Sequence, residues 1–164
     1  ENMVKLPVIV YNRTSRDSVI DDAIHLRGII EQQAIEEEER TGKYIRPIVL
    51  FQAQPKNNND NDTFDKVKEI LLGRGIPTEQ IAIKTSKVND LGKTNLMSRD
   101  CPIRYIITVN ALKEGWDCPF AYILASLANK TSKVDVEQIL GRILRQPYAR
   151  KHGAKLLNLS LIHI

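Results

Sequence analysis

Apolar positions along the chain fall into short unbroken runs, separated by amphipathic stretches of helical length. The runs are Pro7 to Tyr11, Ile48 to Ala53, Ile81 to Thr85, Tyr105 to Val109, Ala121 to Leu127 and Leu156 to Ile164. Their length and their β-branched content predict strands, and their near-continuous apolarity predicts strands buried on both faces. From Ser18 onward, Val19, Ala23, Leu26, Ile29, Ile30, Ala34 and Ile35 recur at three- and four-residue steps, which predicts a helix with these residues turned inward. Phe64 to Leu72 places Phe64, Val67, Ile70 and Leu71 on one side and meets stop signals at Gly73 and Gly75. A third helical pattern covers about Val134 to Arg145, with Val136, Ile139, Leu140, Ile143 and Leu144 on its apolar side. Lys56 to Asp62 is a polar loop, and residues 86–100 are mixed, with one short helix expected around Leu91 to Met97.

Strands alternating with helices predict an α/β fold with a mostly parallel sheet flanked by helices. Such sheets offer ligands the loops that leave the carboxyl ends of their strands. Candidate chemistry is therefore sought there.

Composition adds few constraints. A chain of 164 residues fits a single domain, and 42% hydrophobic with 27% charged residues is ordinary for a globular one. No apolar run approaches the roughly 20 residues that span a bilayer, so no membrane role is expected. Pro7, Arg13 and Arg16 interrupt the one apolar stretch near the start, which argues against a signal peptide. Cys101 and Cys118 are too few for a disulfide framework, and reduced thiols in a cytoplasmic protein are the expectation. Glu1 at the start and an apolar run at the end suggest a domain taken from a longer polypeptide.

Charge placement says more than the net value of +4. Glu31, Glu36, Glu37, Glu38 and Glu39 crowd one stretch against Arg40. Lys130, Lys133, Arg142, Arg145, Arg150, Lys151 and Lys155 face only Asp135 and Glu137 across another. That basic region suits a polyanion, although a solvated helix face followed by a basic loop has the same composition.

Two apparent motifs fail on chemistry. Gly92-Lys93-Thr94 lacks the earlier glycine of a phosphate loop, because position 87 is Lys87. Cys101, Cys118, His25, His152 and His163 are scattered, so no metal site is expected.

Two other segments carry signal. Thr108 to Pro119 follows the strand at Tyr105; Gly115 permits a tight turn and Asp117 supplies an acceptor. Further on, Gln138, Arg142 and Arg145 fall at i, i+4 and i+7 of one helix, opposite Ile139, Leu140, Ile143 and Leu144. Gly141 is costly inside a helix, by roughly 1 kcal/mol, and points to close approach by a ligand or backbone. Guanidinium forks suit phosphate oxygens and keep their charge.

In this order and spacing, the two segments resemble motifs V and VI of superfamily 2 helicases. Glu114, Gly115 and Asp117 match the motif V turn, and Gln138, Gly141, Arg142 and Arg145 match Gln-x-x-Gly-Arg-x-x-Arg of motif VI. The longer wording is similar to the Res (helicase) subunits of type III restriction enzymes, and Ile48 to Ala53, with Phe51 and Gln52, sits where motif IV belongs. The resemblance covers about residues 45–164. It implies a RecA-like, three-layer domain of the P-loop NTPase type: the C-terminal one of two motor domains, occupying residues 1–164, with residues 1–44 as a strand and helix leading into it.

The family's roles then fall on matching positions. Arg142 and Arg145 are expected to reach the γ-phosphate of ATP as arginine fingers, with Gln138 helping to order that site. Gly115, Asp117 and Gly141 are expected to shape the nucleotide side. Thr108, and more loosely Gln52, are expected on the nucleic-acid backbone. The implied cofactors are ATP and Mg²⁺, the metal ligands belonging to the missing first motor domain; without it, the fragment is expected to be inactive. Implied partners are double-stranded DNA, the first RecA-like domain of the same chain, and a DNA-modification (methyltransferase) subunit. Two alternatives stay open: a superfamily 2 helicase without a nuclease, and a non-catalytic nucleic-acid-binding module of RecA-like fold.

Overall fold

The computed structural model describes residues 8–11, 16–53, 63–85, 88–92, 94–109, 118, 120–127 and 161–163. Six strands form one sheet: β1 (Val8–Tyr11), β2 (Ile48–Gln52), β3 (Ile81–Lys84), β4 (Tyr105–Thr108), β5 (Ala121–Ser126) and β6 (Leu161–His163). Their spatial order is β3-β4-β2-β5-β1-β6, and every pairing between strands is parallel. Helix α1 (Arg16–Thr41) links β1 to β2, and α2 (Phe64–Gly73) lies between β2 and β3. This is an α/β fold, and each strand falls within a run that the apolar pattern marks.

The strands take their places because they are apolar on both sides. Every residue of β4 and β5 is buried, and so are the first four of β2. A chain that exposes neither face must be covered twice, which suits parallel pairing. α1 packs on β5, β1 and β2, and α2 packs on β4. Both helices lie over the same face, since Arg74 at the end of α2 reaches Asp21 of α1 with Nε–Oδ1 at 2.7 Å. α2 ends as its glycines predict. Gly75 takes a left-handed φ of 85°, its N–H bonds Leu72 O, and the Ile76 N–H bonds Leu71 O.

Two expectations need correction. Ile29 and Ile35 are exposed, at 39% and 44%, and do not belong to the buried side of α1. Their places are taken by Arg27 and Glu37, which are 5% and 3% exposed and join Val19, Ile20, Ala23, Ile30 and Ala34. The short helix expected at Leu91 to Met97 is absent from the described residues there, which form turns. Asn95 explains part of this, because its Oδ1 accepts from the Met97 N–H and holds the chain in a turn.

Buried arginines organise the amino ends of the strands. Arg27 Nε donates to Pro47 O at 2.8 Å, its Nη2 reaches Glu31 at 3.1 Å, and its guanidinium lies 5.7 Å from the Tyr105 ring centre. Burial raises the Tyr105 hydroxyl above its ordinary value, opposed by the positive charge of Arg27. Arg46, 2% exposed, donates to Ile103 O at 2.7 Å, Ser98 O at 2.9 Å, Leu96 O and the Tyr44 hydroxyl. One cation thus ties the start of β2 to the whole segment that precedes β4. α1 runs past this region: its 26 residues extend about 39 Å, whereas the six of β5 extend about 20 Å. Its later turns therefore lie beyond the amino edge, where Glu38 pairs with Arg99.

Replacing Arg46 by Met keeps the bulk of the side chain but strands three carbonyl oxygens. The expected loss is about 3 kcal/mol or more of unfolding free energy, read by urea denaturation. Arg46→Lys should recover less than half, because an ammonium cannot span the same set of acceptors.

Candidate functional site

Parallel pairing aligns the carboxyl ends of the strands. Lys84 of β3 is in register with Thr108 of β4, Thr108 with Gln52 of β2, and Gln52 with Ser126 of β5. Tyr11 of β1 continues the row by register. Each polar residue closes an otherwise apolar strand, so polarity begins where the sheet meets its loops. The ladder runs one step further: the Ala53 N–H donates to Thr108 O at 2.8 Å, and the Leu127 N–H donates to Gln52 O at 2.9 Å. That extra step fixes the backbone on both sides of Gln52.

Side chains in parallel register project to the same side of a sheet, and positions two apart along a strand share that side. Phe51 and Tyr105 stack with ring centres 6.3 Å apart, and Arg27 of α1 covers Tyr105. Those two residues therefore face α1. Gln52, Thr108, Ser126 and Lys84 alternate with that face and project from the opposite one. Beneath them on the same side are Leu50, Ile106 and Leu124, all fully buried. The row is a polar margin on an apolar floor.

Two atoms of this margin are unsatisfied. Gln52 Oε1 and Thr108 Oγ1 are both buried and have no hydrogen-bond partner among the described residues. Thr108 is completely buried. A buried polar group left without a partner costs about 1–3 kcal/mol, so two neighbours in that state mark a place where a ligand's polar groups fit. The chemistry is specific to kind. A threonine hydroxyl can donate to a phosphate oxygen or accept from a hydroxyl, and a glutamine amide offers both an acceptor and donors. Ser126 is 2% exposed and Lys84 half-buried, and the latter brings a positive charge to the end of the row.

The structure brings together Thr108 and Gln52, the two residues expected on nucleic acid. Glu114, Gly115, Asp117, Gln138, Gly141, Arg142 and Arg145 lie outside the described residues. The same is true of the helical pattern at Val134 to Arg145 that carries four of them. Sequence reading passed over Ser126 and Lys84. Their signal was present: each is the polar residue that ends an apolar strand run, as Gln52 and Thr108 are. Cys101 and Cys118 are both buried and not disulfide-bonded, and no group of three potential metal ligands occurs among the described residues. No helix among them is long and apolar enough to cross a membrane.

Thr108→Val removes the unsatisfied hydroxyl and keeps the side chain's shape. Stability in urea should be unchanged or raised by up to about 2 kcal/mol. A loss above about 1 kcal/mol would show that the hydroxyl is well satisfied in the free protein.

No protein-family model, no curated protein and no solved structure matches this chain, so what the site can do rests on its own residues and geometry.

Proposed function

We propose that this chain is the second, RecA-like motor domain of an ATP-dependent DNA helicase or translocase, most like the Res subunit of a type III restriction enzyme. The observation that carries the reading is the juxtaposition of Gln52 and Thr108 at the carboxyl edge of a parallel sheet, each with a buried polar atom that lacks a partner among the described residues. Those are the two positions that the helicase resemblance assigns to the nucleic-acid backbone. Phosphate and sugar oxygens offer hydrogen-bonding groups at regular spacing, which suits adjacent hydroxyl and amide groups fixed by one ladder. Lys84 in the same row favours a polyanion.

In this reading Thr108 and Gln52 form part of a track along one strand of double-stranded DNA. The chain leaves β4 just after Thr108 and enters the segment that carries Gly115 and Asp117, so track and nucleotide side share one stretch of backbone. Arg142 and Arg145, with Gln138 and Gly141 on the same helical pattern, serve the γ-phosphate of ATP bound with Mg²⁺ against a first motor domain. An arginine finger contributes about 10³–10⁵ in rate by stabilising charge that develops on the transferred group. Fingers supplied by a second domain make hydrolysis depend on closure, and reopening then moves the track relative to the first domain.

DNA binding by the isolated chain should be weak, insensitive to sequence and lost steeply as salt rises, measured by fluorescence anisotropy across a salt series. Thr108→Val should weaken it several-fold at every sequence tested while the fold persists. Nanomolar binding to one duplex at physiological salt would show instead that base edges are read.

A second measurement separates the motor from a passive binding module. In a parent chain that includes the first motor domain, Arg145→Ala should lower DNA-stimulated ATP turnover by at least about two orders of magnitude. Arg145→Lys should rescue little, and Arg150→Ala, outside the stripe, should behave like the unsubstituted protein. Full turnover by Arg145→Ala would remove the motor assignment.

A further inference from the structure

The outer edge of β3 has a cover of its own, and it does not depend on the nucleic-acid reading. Among the described residues β3 is the last strand of the sheet on its side. An edge strand presents unpaired N–H and C=O groups on alternate residues, which invite another strand. Along β3 and at the residue just after it, the outward groups are those of Ile81, Ile83 and Thr85, as their partners show. The Ile81 N–H turns back to Thr78 O in the short 3-10 turn Thr78–Gln80. The Thr85 N–H donates to Val88 O at 2.7 Å. Ile83 gives both its groups to one residue: its N–H donates to Asp90 Oδ2 at 2.9 Å, and its carbonyl accepts from the Asp90 N–H at 2.9 Å.

Asp90 therefore imitates a paired strand with one side chain and one amide. The turn around it is tied down separately. The Val88 N–H donates to Thr85 Oγ1 at 3.0 Å, and Asn89 Oδ1 accepts from the Gly92 N–H at 3.1 Å, while the Thr85–Val88 and Asp90–Ile83 backbone bonds together make an antiparallel bridge between Lys84 and Asn89. Gly92 takes a left-handed φ of 52°, and Leu91 is buried in the core. An aspartate at the centre of the edge closes it to strand addition and, being charged, also disfavours an incoming apolar strand.

We propose that Asp90 is an edge guard whose contact with Ile83 keeps β3 from pairing with the β3 of a second copy. The occupant follows from the strand itself. An antiparallel pair centred on Ile83 would let the two Ile83 residues exchange both bonds, and Ile81 of each copy would meet Thr85 of the other. Lys84 would then lie opposite Ala82 rather than another lysine, so no like charges would meet. The apolar Ile81, Ala82 and Ile83 suit such a pairing, and the guard withholds it.

The test uses the 164-residue chain with Asp90→Ala and Asp90→Asn. For Asp90→Ala, amide exchange at Ile83 should accelerate at least about tenfold, and sedimentation should show a dimer that the unsubstituted chain does not form at the same concentration. Asp90→Asn keeps an acceptor oxygen and should hold both properties near those of the unsubstituted chain. Faster exchange at Ile83 with unchanged mass would overturn the proposal, because the open edge would then have no taste for its own copy. If Asp90→Ala fails to fold, the unsubstituted chain decides. The Ile83 and Asp90 amides should exchange together, as one opening event, and independent exchange would show that Asp90 does not seal the edge.

Discussion

Parallel pairing of strands that are buried on both faces is the constraint on which the other features rest. It demands runs without polar interruption, and β2, β4 and β5 supply them. It also fixes where polarity can begin, because a polar side chain inside such a run would lose its water on either face. The first tolerable positions are the strand ends. Parallel register then draws those ends into one line, so residues far apart in sequence become neighbours without any dedicated framework. Gln52, Thr108 and Ser126 meet for that reason.

The opposite edge solves a different problem. Strands of a parallel sheet start at the same end, and the segments that feed them must cross one another's entrances. Arg46 and Arg27 occupy that crowded space with long, apolar stems and heads that hydrogen-bond backbone carbonyls. The aromatic rings of Tyr44, Phe120 and Tyr105 pack against the guanidinium faces. The core ends there in a layer of satisfied cations, whereas at the carboxyl edge it ends in a polar row in which Gln52 Oε1 and Thr108 Oγ1 lack partners among the described residues.

The strands were legible because burial on two faces leaves an unmistakable apolar run. α1 was legible as a helix, and Val19, Ala23, Ile30 and Ala34 do face the core, but its facing was legible only in part. Arg27 lies on its buried side through Pro47 and Tyr105, and Glu37 through its pair with Arg40, and a periodicity of apolar residues has no way to register either. Ile29 and Ile35 filled the expected stripe and proved exposed. The stretch at Leu91 to Met97 has helical composition, yet Asn89, Asp90 and Asn95 spend their side chains on nearby backbone groups, which favours turns. At the site, Thr108 and Gln52 could be named from a motif resemblance, and their contact follows from topology that composition does not specify. Ser126 and Lys84 belong to no motif. They become visible only when strand ends are placed side by side.

The overhang of α1 has an electrostatic consequence. From Glu31 onward this helix lies beside or beyond the amino edge and carries Glu36, Glu37, Glu38 and Glu39 in succession, with Arg40 and Arg99 as close counter-charges. Arg27 and Arg104 answer Glu31 in the same way, so this end holds carboxylates paired with arginines of α1 itself and of the segment before β4. Opposite charges held this closely cancel much of each other's field within the roughly 8 Å over which fields persist at physiological salt. The overhanging turns of α1 thereby become an ionic clasp on the segment that feeds β4.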